Sequence, residues 1–148
     1  MSNYVVDASV AVKWFVPESL QANAWTLAKQ PENLVAPDLL LVELANIAWK
    51  KVTRGEITRI VALEISRQVA SGIHSFFPAE PFARRALEIG LDLNHSIYDC
   101  MYIALAELTG YSLVSADNRL VRAISGTKWE SLIVPLSSIP PLSATSPP

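Results

Sequence analysis

The chain has 148 residues, of which 51% are apolar, 18% charged and 8% aromatic, a composition typical of one globular domain with a sizeable buried core. It excludes a disordered or collagen-like chain, and a single cysteine, Cys100, excludes a disulfide scaffold. Twelve Lys and Arg against fourteen Asp and Glu give a net charge of -2, so there is no global positive field of the kind that basic nucleic-acid-binding domains carry.

The amino-terminal residues do not predict a targeting signal. Residues 1–6 contain no basic stretch, and Asp7 interrupts the apolar residues that follow Tyr4. No segment approaches the roughly 18 uninterrupted apolar residues of a membrane-spanning helix. We therefore expect a soluble cytoplasmic protein with no membrane partner, and an unpaired cysteine agrees with a reducing compartment.

Short apolar segments rich in β-branched residues alternate along the chain with longer segments of helical period. This alternation predicts an α/β fold in which a central parallel sheet is flanked by helices. The predicted strands are residues 4–6, 34–36, 73–77, 111–115 and 132–134. The predicted helices are residues 8–16, 18–30, 38–54, 56–71, 79–93, 96–108 and 117–125.

The composition changes once, near Val134. Five of the ten prolines and four serines lie in residues 135–148. We therefore predict a single domain over residues 1–134 and an extended Pro/Ser-rich tail over residues 135–148.

Two aspartates, Asp7 and Asp117, each stand between a predicted strand and the helix that follows it. In a parallel sheet this places them at the carboxyl ends of strands, the edge where ligands bind. The same position is that of a helix N-cap, which aspartate often occupies, so both roles stay open. The two residues share a crevice only if their strands are neighbours, which chain order does not establish.

Two further acids, Glu43 and Asp99, lie within strongly apolar predicted helices. No Lys or Arg lies within one turn of Glu43, and an unpaired buried carboxylate costs on the order of several kcal/mol. We therefore favour a polar cleft around Glu43 over a structural role. Asp99 either faces the same cleft or completes a capping box with Ser96, and its local sequence slightly favours the cap.

Together the four acids crowd one predicted edge of the sheet without a matching His, Cys or Lys cluster. Four carboxylates remain close to one another only in the presence of a cation. Oxygen ligands select hard ions such as Mg²⁺ or Mn²⁺, which also bind phosphate groups. One or two such ions would activate water for attack on a phosphodiester, and the pattern therefore indicates phosphodiester hydrolysis.

Four segments carry a resemblance to a known family: residues 5–9 (VVDAS), 41–46 (LVELAN), 98–106 (YDCMYIALA) and 113–120 (LVSADNRL). In order and spacing they resemble the four acidic motifs of PIN domains. The size and single-domain layout resemble most the VapC-type toxins of bacterial and archaeal toxin–antitoxin pairs. The resemblance covers roughly residues 3–134.

This resemblance implies an endoribonuclease that depends on Mg²⁺ or Mn²⁺ and hydrolyses RNA with a metal-activated water. It implies that four acids are both the catalytic residues and the metal ligands: Asp7, Glu43, Asp99 and Asp117.

Supporting residues follow from the same resemblance. Ser115 stands where the family commonly has Ser or Thr, and its hydroxyl, like that of Ser9, would orient a carboxylate. Some members carry a further acid after the last motif, where this chain has Asn118 and Arg119. The number of ions, one or two, therefore stays open.

The resemblance also implies partners: an RNA substrate, a VapB-type antitoxin and a second copy of the chain in a homodimer. Without the four acids, ten acidic residues remain against twelve basic ones. Candidate contacts to RNA phosphates are Lys50, Lys51, Arg54, Arg119 and Arg122. Each also suits a cation that stabilises a helix end.

Two alternatives stay open. The first is an RNA-processing nuclease of the same fold that is not a toxin. The second is a catalytically silent α/β protein-interaction module, in which Asp7 and Asp117 cap helices and Asp99 completes a capping box. We assign neither histidine, His74 or His95, to catalysis, because an isolated histidine is more often structural.

Overall fold

The computed structural model describes residues 2–143. Its five strands form one parallel sheet in the order β3-β2-β1-β4-β5. The strands are β1 (Tyr4–Val6), β2 (Leu34–Pro37), β3 (Ser75–Phe77), β4 (Ser112–Ser115) and β5 (Ile133–Pro135). The predicted α/β class with a central parallel sheet is confirmed.

Seven α-helices within residues 2–143 connect these strands and flank the sheet. They are α1 (Ala8–Ala11), α2 (Gln21–Ala28), α3 (Leu39–Thr53), α4 (Arg59–Gln68), α5 (Ala83–Leu93), α6 (Ile97–Thr109) and α7 (Asn118–Ile124). None of these helices is both long and apolar enough to cross a membrane.

The six helices before β4 divide into two groups by the direction of the chain across the sheet. Helices α1 to α4 lie on the connections that lead outward from β1 to β2 and β3, whereas α5 and α6 lie on the connection that returns from β3 to β4. Right-handed crossovers therefore place the two groups on opposite faces. Helix α6 crosses the centre of the sheet and contacts β1, β2 and β4, and its residues from Cys100 to Ala106 are all buried.

The chain changes direction between β1 and β4, which pair in parallel with Val6 opposite Val114. Apart from their first residues, Tyr4 and Ser112, both strands are buried, as expected of central strands covered on both faces. A crevice opens at the carboxyl ends of two such strands. Asp7 directly follows β1 and Asp117 follows β4 by two residues, so the adjacency that the sequence left open is present.

The bounds of the first two helices differ from the prediction. The helix predicted over residues 8–16 is α-helical only to Ala11 and continues as a 3₁₀ turn over Val12–Trp14. The next helix begins at Gln21, three residues later than predicted, because Leu20 adopts a left-handed conformation with φ of 64°. A bulky residue in that region cannot continue a helix.

The carboxyl-terminal segment differs from the extended tail predicted beyond residue 134. Leu136 and Ile139 are 1% and 6% exposed and belong to the core. The Asn23 side chain donates to the Ile139 carbonyl at 2.7 Å, and the Leu142 N–H donates to the Ala22 carbonyl at 2.8 Å. The apolar residues of this Pro/Ser-rich segment therefore extend the packed domain past residue 134, while residues 144–148 lie outside the described part.

Candidate active site

The four sequence-predicted acids lie together in the crevice between β1 and β4. They line one cavity of about 190 Å³, together with Ala8, Ser9, Ile47 and Tyr102. Each acid comes from a different element: Asp7 follows β1, Glu43 is on α3, Asp99 is in the first turn of α6, and Asp117 precedes α7.

Asp7 is the most enclosed of the four, at 6% exposure. It caps α1 by accepting a hydrogen bond from the Val10 N–H at 3.2 Å. The hydroxyls of Ser9 and Ser115 each donate to one of its oxygens at 2.5 Å. Burial nevertheless raises the pKa of Asp7 to about 6, because desolvation outweighs these bonds.

Ser9 and Ser115 also join the two strand ends. The Ser9 hydroxyl accepts from the Ala116 N–H at 2.9 Å, and the Ser115 hydroxyl accepts from the Asp117 N–H at 3.1 Å. Both hydroxyls thus donate to Asp7 and accept from the backbone after β4. This arrangement fixes the position of Asp7 relative to Asp117.

Glu43 faces the cavity from α3 and accepts a hydrogen bond of 2.5 Å from the Tyr102 hydroxyl. Burial raises the pKa of Glu43, and the nearby charge of Asp99 raises it further, whereas the Tyr102 hydrogen bond lowers it. Within residues 2–143, no Lys or Arg forms an ion pair with Glu43. The charge of Glu43 is therefore incompletely compensated by the protein.

Asp99 pairs with His95, which precedes the start of α6, with 2.8 Å between Oδ2 and the histidine Nε2. The capping box with Ser96 does not form, since Ser96 makes no side-chain hydrogen bond at the start of α6. Of the two roles that the sequence left open for Asp99, the structure shows the cleft.

Asp117 fills both roles that its position allowed. Its Oδ1 accepts from the N–H groups of Arg119 and Leu120 at 2.9 and 3.4 Å and so caps α7. The same side chain lines the cavity with the other three acids. Capping and participation in the cleft are therefore compatible, as they are for Asp7.

A family model described as the PIN domain matches residues 4–124. The chain belongs to the PIN-domain family. Two curated relatives from Pyrobaculum aerophilum indicate the VapC type. "Ribonuclease VapC3" is 31% identical over 136 residues, which cover 88% of this chain and 98% of the relative. "Exonuclease VapC9" is 28% identical over 137 residues, which cover 91% of this chain and 96% of the relative.

A solved structure supports the PIN fold. The crystal structure of PAE2754 from Pyrobaculum aerophilum superposes with a TM-score of 0.69 at 23% sequence identity, covering 93% of this chain and 85% of that one. Similarity at this identity concerns the fold alone. The superposition agrees with the family match in assigning the fold of this chain to the PIN domain.

The donor chemistry of this PIN domain fits a hard divalent cation. All four donors are carboxylates, and Glu43, Asp99 and Asp117 each have one oxygen with no hydrogen bond from the described residues. No three His, Cys, Asp or Glu side chains in residues 2–143 already converge as a metal-ligand group. The four carboxylates line one cavity but are held by different hydrogen-bond partners. A divalent cation bound there would offset their mutual repulsion and bring them closer together.

The basic residues predicted to contact RNA differ in how their side chains are placed relative to the acids. Lys50 is seven residues beyond Glu43 on α3, about 10 Å along the helix axis. Lys51 is engaged in ion pairs with Glu18 at 3.0 Å and Glu56 at 3.3 Å. Arg54 caps the same helix end and is exposed.

Arg119 is placed differently. It lines a second cavity of about 430 Å³ that also contains His95 and shares Asp99 and Asp117 with the first. Arg122 is exposed in the last turn of α7. Of the predicted cations, Arg119 is therefore the one that the PIN fold brings beside the carboxylates.

Sequence reasoning missed two residues that contact the acids. His95 lies in the connection between α5 and α6, before the N-cap Ser96, so its short separation from Asp99 in the chain was the one local signal for the pairing. Tyr102 was assigned to an apolar helix, and nothing local indicates that its hydroxyl reaches Glu43, 59 residues earlier in the chain.

Proposed function

We propose that this PIN domain is an endoribonuclease that depends on Mg²⁺ or Mn²⁺ and acts as the toxin of a VapBC-type toxin–antitoxin pair in the cytoplasm. The carrying observation is the cavity that collects Asp7, Glu43, Asp99 and Asp117 without an ion pair to Lys or Arg among the described residues. The names of the two relatives, a ribonuclease and an exonuclease, support nuclease activity.

The four acids would hold one or two divalent ions and are proposed as the catalytic residues. A bound ion supplies neutralisation of the scissile phosphate and activation of the attacking water. The protein's own contribution is positioning: Ser9 and Ser115 fix Asp7, while Tyr102 and His95 orient the acids on α3 and α6.

Cations near the site are proposed to contact the RNA backbone. Arg119 is the strongest candidate, because it lines the cavity adjoining Asp99 and Asp117. The remaining candidates are Lys50, Lys51, Arg54 and Arg122. Lys51 is the weakest of these, since two glutamates already compensate its charge.

An apolar surface on α3 and α4 supports a protein partner. Val42, Trp49, Ile60 and Leu63 are 58% to 80% exposed, and a groove of about 260 Å³ lies between the two helices. Exposed apolar patches of this kind mark interaction sites. We propose that a segment of a VapB-type antitoxin binds this groove. The homodimer is a separate proposal, which light scattering of the isolated chain tests.

The deciding experiment is RNA cleavage by the purified chain, free of any partner. Linear and circular RNAs of the same sequence are incubated with EDTA, Mg²⁺ or Mn²⁺. We expect metal-dependent cleavage of both RNAs. The circular RNA has no ends, so its cleavage identifies an endonuclease. Asp99→Asn should abolish cleavage while retaining the wild-type circular dichroism spectrum, and Asp92→Asn, an exposed acid on α5, should cleave normally.

Three other results would each change the proposal. Cleavage of the linear RNA alone would make the chain an exonuclease. Cleavage without growth arrest on expression in cells would favour an RNA-processing nuclease over a toxin. Absence of both cleavage and Mn²⁺ binding would favour a silent interaction module.

A further inference from the structure

A third polar cavity lies beside the acid site, at the carboxyl ends of β4 and β5. It measures about 300 Å³ and is lined on one side by Ser115, Ala116 and Asn118 and on another by the turn after β5, including Ser137. Ser115 lines this cavity and donates a hydrogen bond to Asp7, so a residue of its lining directly contacts one of the four acids.

Lys13 also lines this cavity, and it is unusually enclosed for a lysine. The residue is 8% exposed and is the only buried Lys or Arg within residues 2–143. Its Nζ has one hydrogen-bond partner in that part of the chain, Glu18 at 3.2 Å. An ammonium has three donors, so Lys13 retains capacity for another acceptor.

Glu18 does not belong to Lys13 alone. Its Oε1 contacts Lys13, while its Oε2 contacts Lys51 at 3.0 Å. Lys51 also pairs with Glu56 at 3.3 Å, so the two lysines and the two glutamates balance in charge, and what Lys13 retains is the unused hydrogen-bonding capacity of a buried ammonium. The other lining side chains, hydroxyls of Ser19 and Ser137 and the amide of Asn118, are neutral hydrogen-bonding groups.

The backbone next to this cavity is strained. Leu20, which also lines it, has a φ of 64°, and a bulky residue in this region costs on the order of 1 kcal/mol or more. The Gln21 side chain donates to the carbonyls of Lys13 and Val16 at 2.9 and 3.1 Å. Two constraints thus hold the wall that contains Ser19 and Leu20 close to Lys13.

We propose that this cavity binds a phosphodiester group of the RNA substrate next to the scissile one, with Lys13 as the charged ligand. The inference rests on the proposed function. If the scissile phosphate lies at the four acids, the adjoining phosphate of the same strand is presented to a neighbouring cavity. A buried ammonium with neutral hydrogen-bond donors around it suits one phosphate, whereas the acid site repels it in the absence of a cation.

The test measures RNA binding rather than cleavage. A fluorescent single-stranded RNA of mixed sequence is titrated with the full chain in Ca²⁺, with a gel to confirm that the RNA stays intact. Lys13→Met retains the apolar stem and removes the charge. We expect its Kd to rise about tenfold at low salt and the slope of log K against log salt to fall by about 0.7, the value of one single-strand phosphate contact.

Matched controls separate this site from general electrostatics and from misfolding. Lys29→Met removes an exposed lysine at the end of α2 and should leave the slope unchanged. Ser137→Asp adds a negative charge to the lining of the cavity and leaves Lys13 unchanged, and it should weaken binding as Lys13→Met does. Ser131→Asp adds the same charge beyond the amino end of β5 and should have less than a twofold effect.

Neutralising single phosphates of the RNA completes the test. A methylphosphonate at one linkage should weaken wild-type binding as much as Lys13→Met does, and the same linkage should have no further effect in Lys13→Met. Additive losses at every linkage, or unchanged binding by folded Lys13→Met and by Ser137→Asp, would overturn the subsite. If the wild type cleaves RNA while both variants bind normally, only the subsite fails, whereas a wild type that neither binds nor cleaves RNA ends both proposals.

Discussion

The Tyr102 hydroxyl on α6 donates a 2.5 Å hydrogen bond to Glu43 Oε1 on α3, and Tyr102 is 1% exposed. This bond joins two helices that belong to different crossovers of the sheet. The bond also lowers the pKa of Glu43, whereas burial raises that pKa. Tyr102 therefore acts on Glu43 from outside the set of acids.

Tyr102→Phe should weaken divalent binding without removing a carboxylate. The phenyl ring keeps the packing, but Glu43 loses the bond that orients it and that favours its charged form, so we expect Mn²⁺ affinity to fall about 10- to 100-fold. Calorimetric titration at pH 7 measures the effect. Tyr98→Phe, at a 64% exposed position of the same helix, is the control, and equal affinities in the two variants would show that Tyr102 only packs.

The buried carboxyl of Asp7 predicts a pH dependence of stability in EDTA. Its pKa is raised from 3.8 to about 6, so between these values the folded chain holds a proton that the unfolded chain has released. Stability from this group is therefore fully present below about pH 4, falls as the pH rises to about 6, and is constant above. The difference corresponds to about 3 kcal/mol at most.

Asp7→Asn should remove this decline and stabilise the metal-free chain at pH 7 by about 1 to 3 kcal/mol. Urea unfolding at pH 4, 5, 6 and 7 measures the free energy of unfolding of each variant. Asp92→Asn, on the exposed face of α5, should retain the wild-type profile. A flat wild-type profile between pH 4 and 6 would show that Asp7 is not held in this environment.

Divalent ions should raise the thermal stability of the wild type. Binding at 100 times Kd contributes about 2.7 kcal/mol, or about 5 to 10 °C in Tm for a domain of this size. The effect should be larger at pH 7.5 than at pH 5, because Asp7 must lose its proton to bind the ion.

Asp99→Asn should reduce this shift for two reasons. It removes one carboxylate from the cavity, and it removes a charge that raises the pKa of both Asp7 and Glu43, so the metal-free variant should itself be more stable. Differential scanning fluorimetry with EDTA or Mn²⁺ measures both effects. Glu64→Gln, an acid on α4 paired with Arg67, is the control, and a wild-type shift in Asp99→Asn would argue against the four-acid site.

The acids were predictable because each left a local sign in the sequence. Asp7 and Asp117 stand where strands end, and an acid such as Glu43 within an apolar helix is costly unless it faces a cleft. Their meeting in one cavity depends on β1 pairing with β4. That pairing joins segments more than 100 residues apart, and the strand sequences do not encode which neighbour each strand takes.

Contacts between distant segments account for the features that sequence reasoning did not give. Lys51 looked available for RNA until the fold placed Glu18 beside it. The segment after residue 134 looked like a tail because proline and serine dominate it, yet Leu136 and Ile139 are buried in the core. In each case the deciding partner lies on another element, where neither periodicity nor composition carries information.

We expect substitutions of Arg119 and Lys51 to have opposite effects on RNA binding and on stability. Arg119 is exposed and lines the cavity that shares Asp99 and Asp117, so Arg119→Met should leave the free energy of unfolding within about 0.5 kcal/mol of wild type. Loss of one phosphate contact should lower its salt slope for single-stranded RNA by about 0.7.

Lys51→Met should show the reverse. Its ammonium joins Glu18 on the segment before α2 to Glu56 after α3, and its loss leaves two carboxylates less compensated, so we expect destabilisation of about 1 kcal/mol with an unchanged salt slope. Urea unfolding and RNA titrations at several salt concentrations measure both quantities on the same preparations. A reduced slope in Lys51→Met and a wild-type slope in Arg119→Met would place the RNA path along α3 instead of across the start of α7.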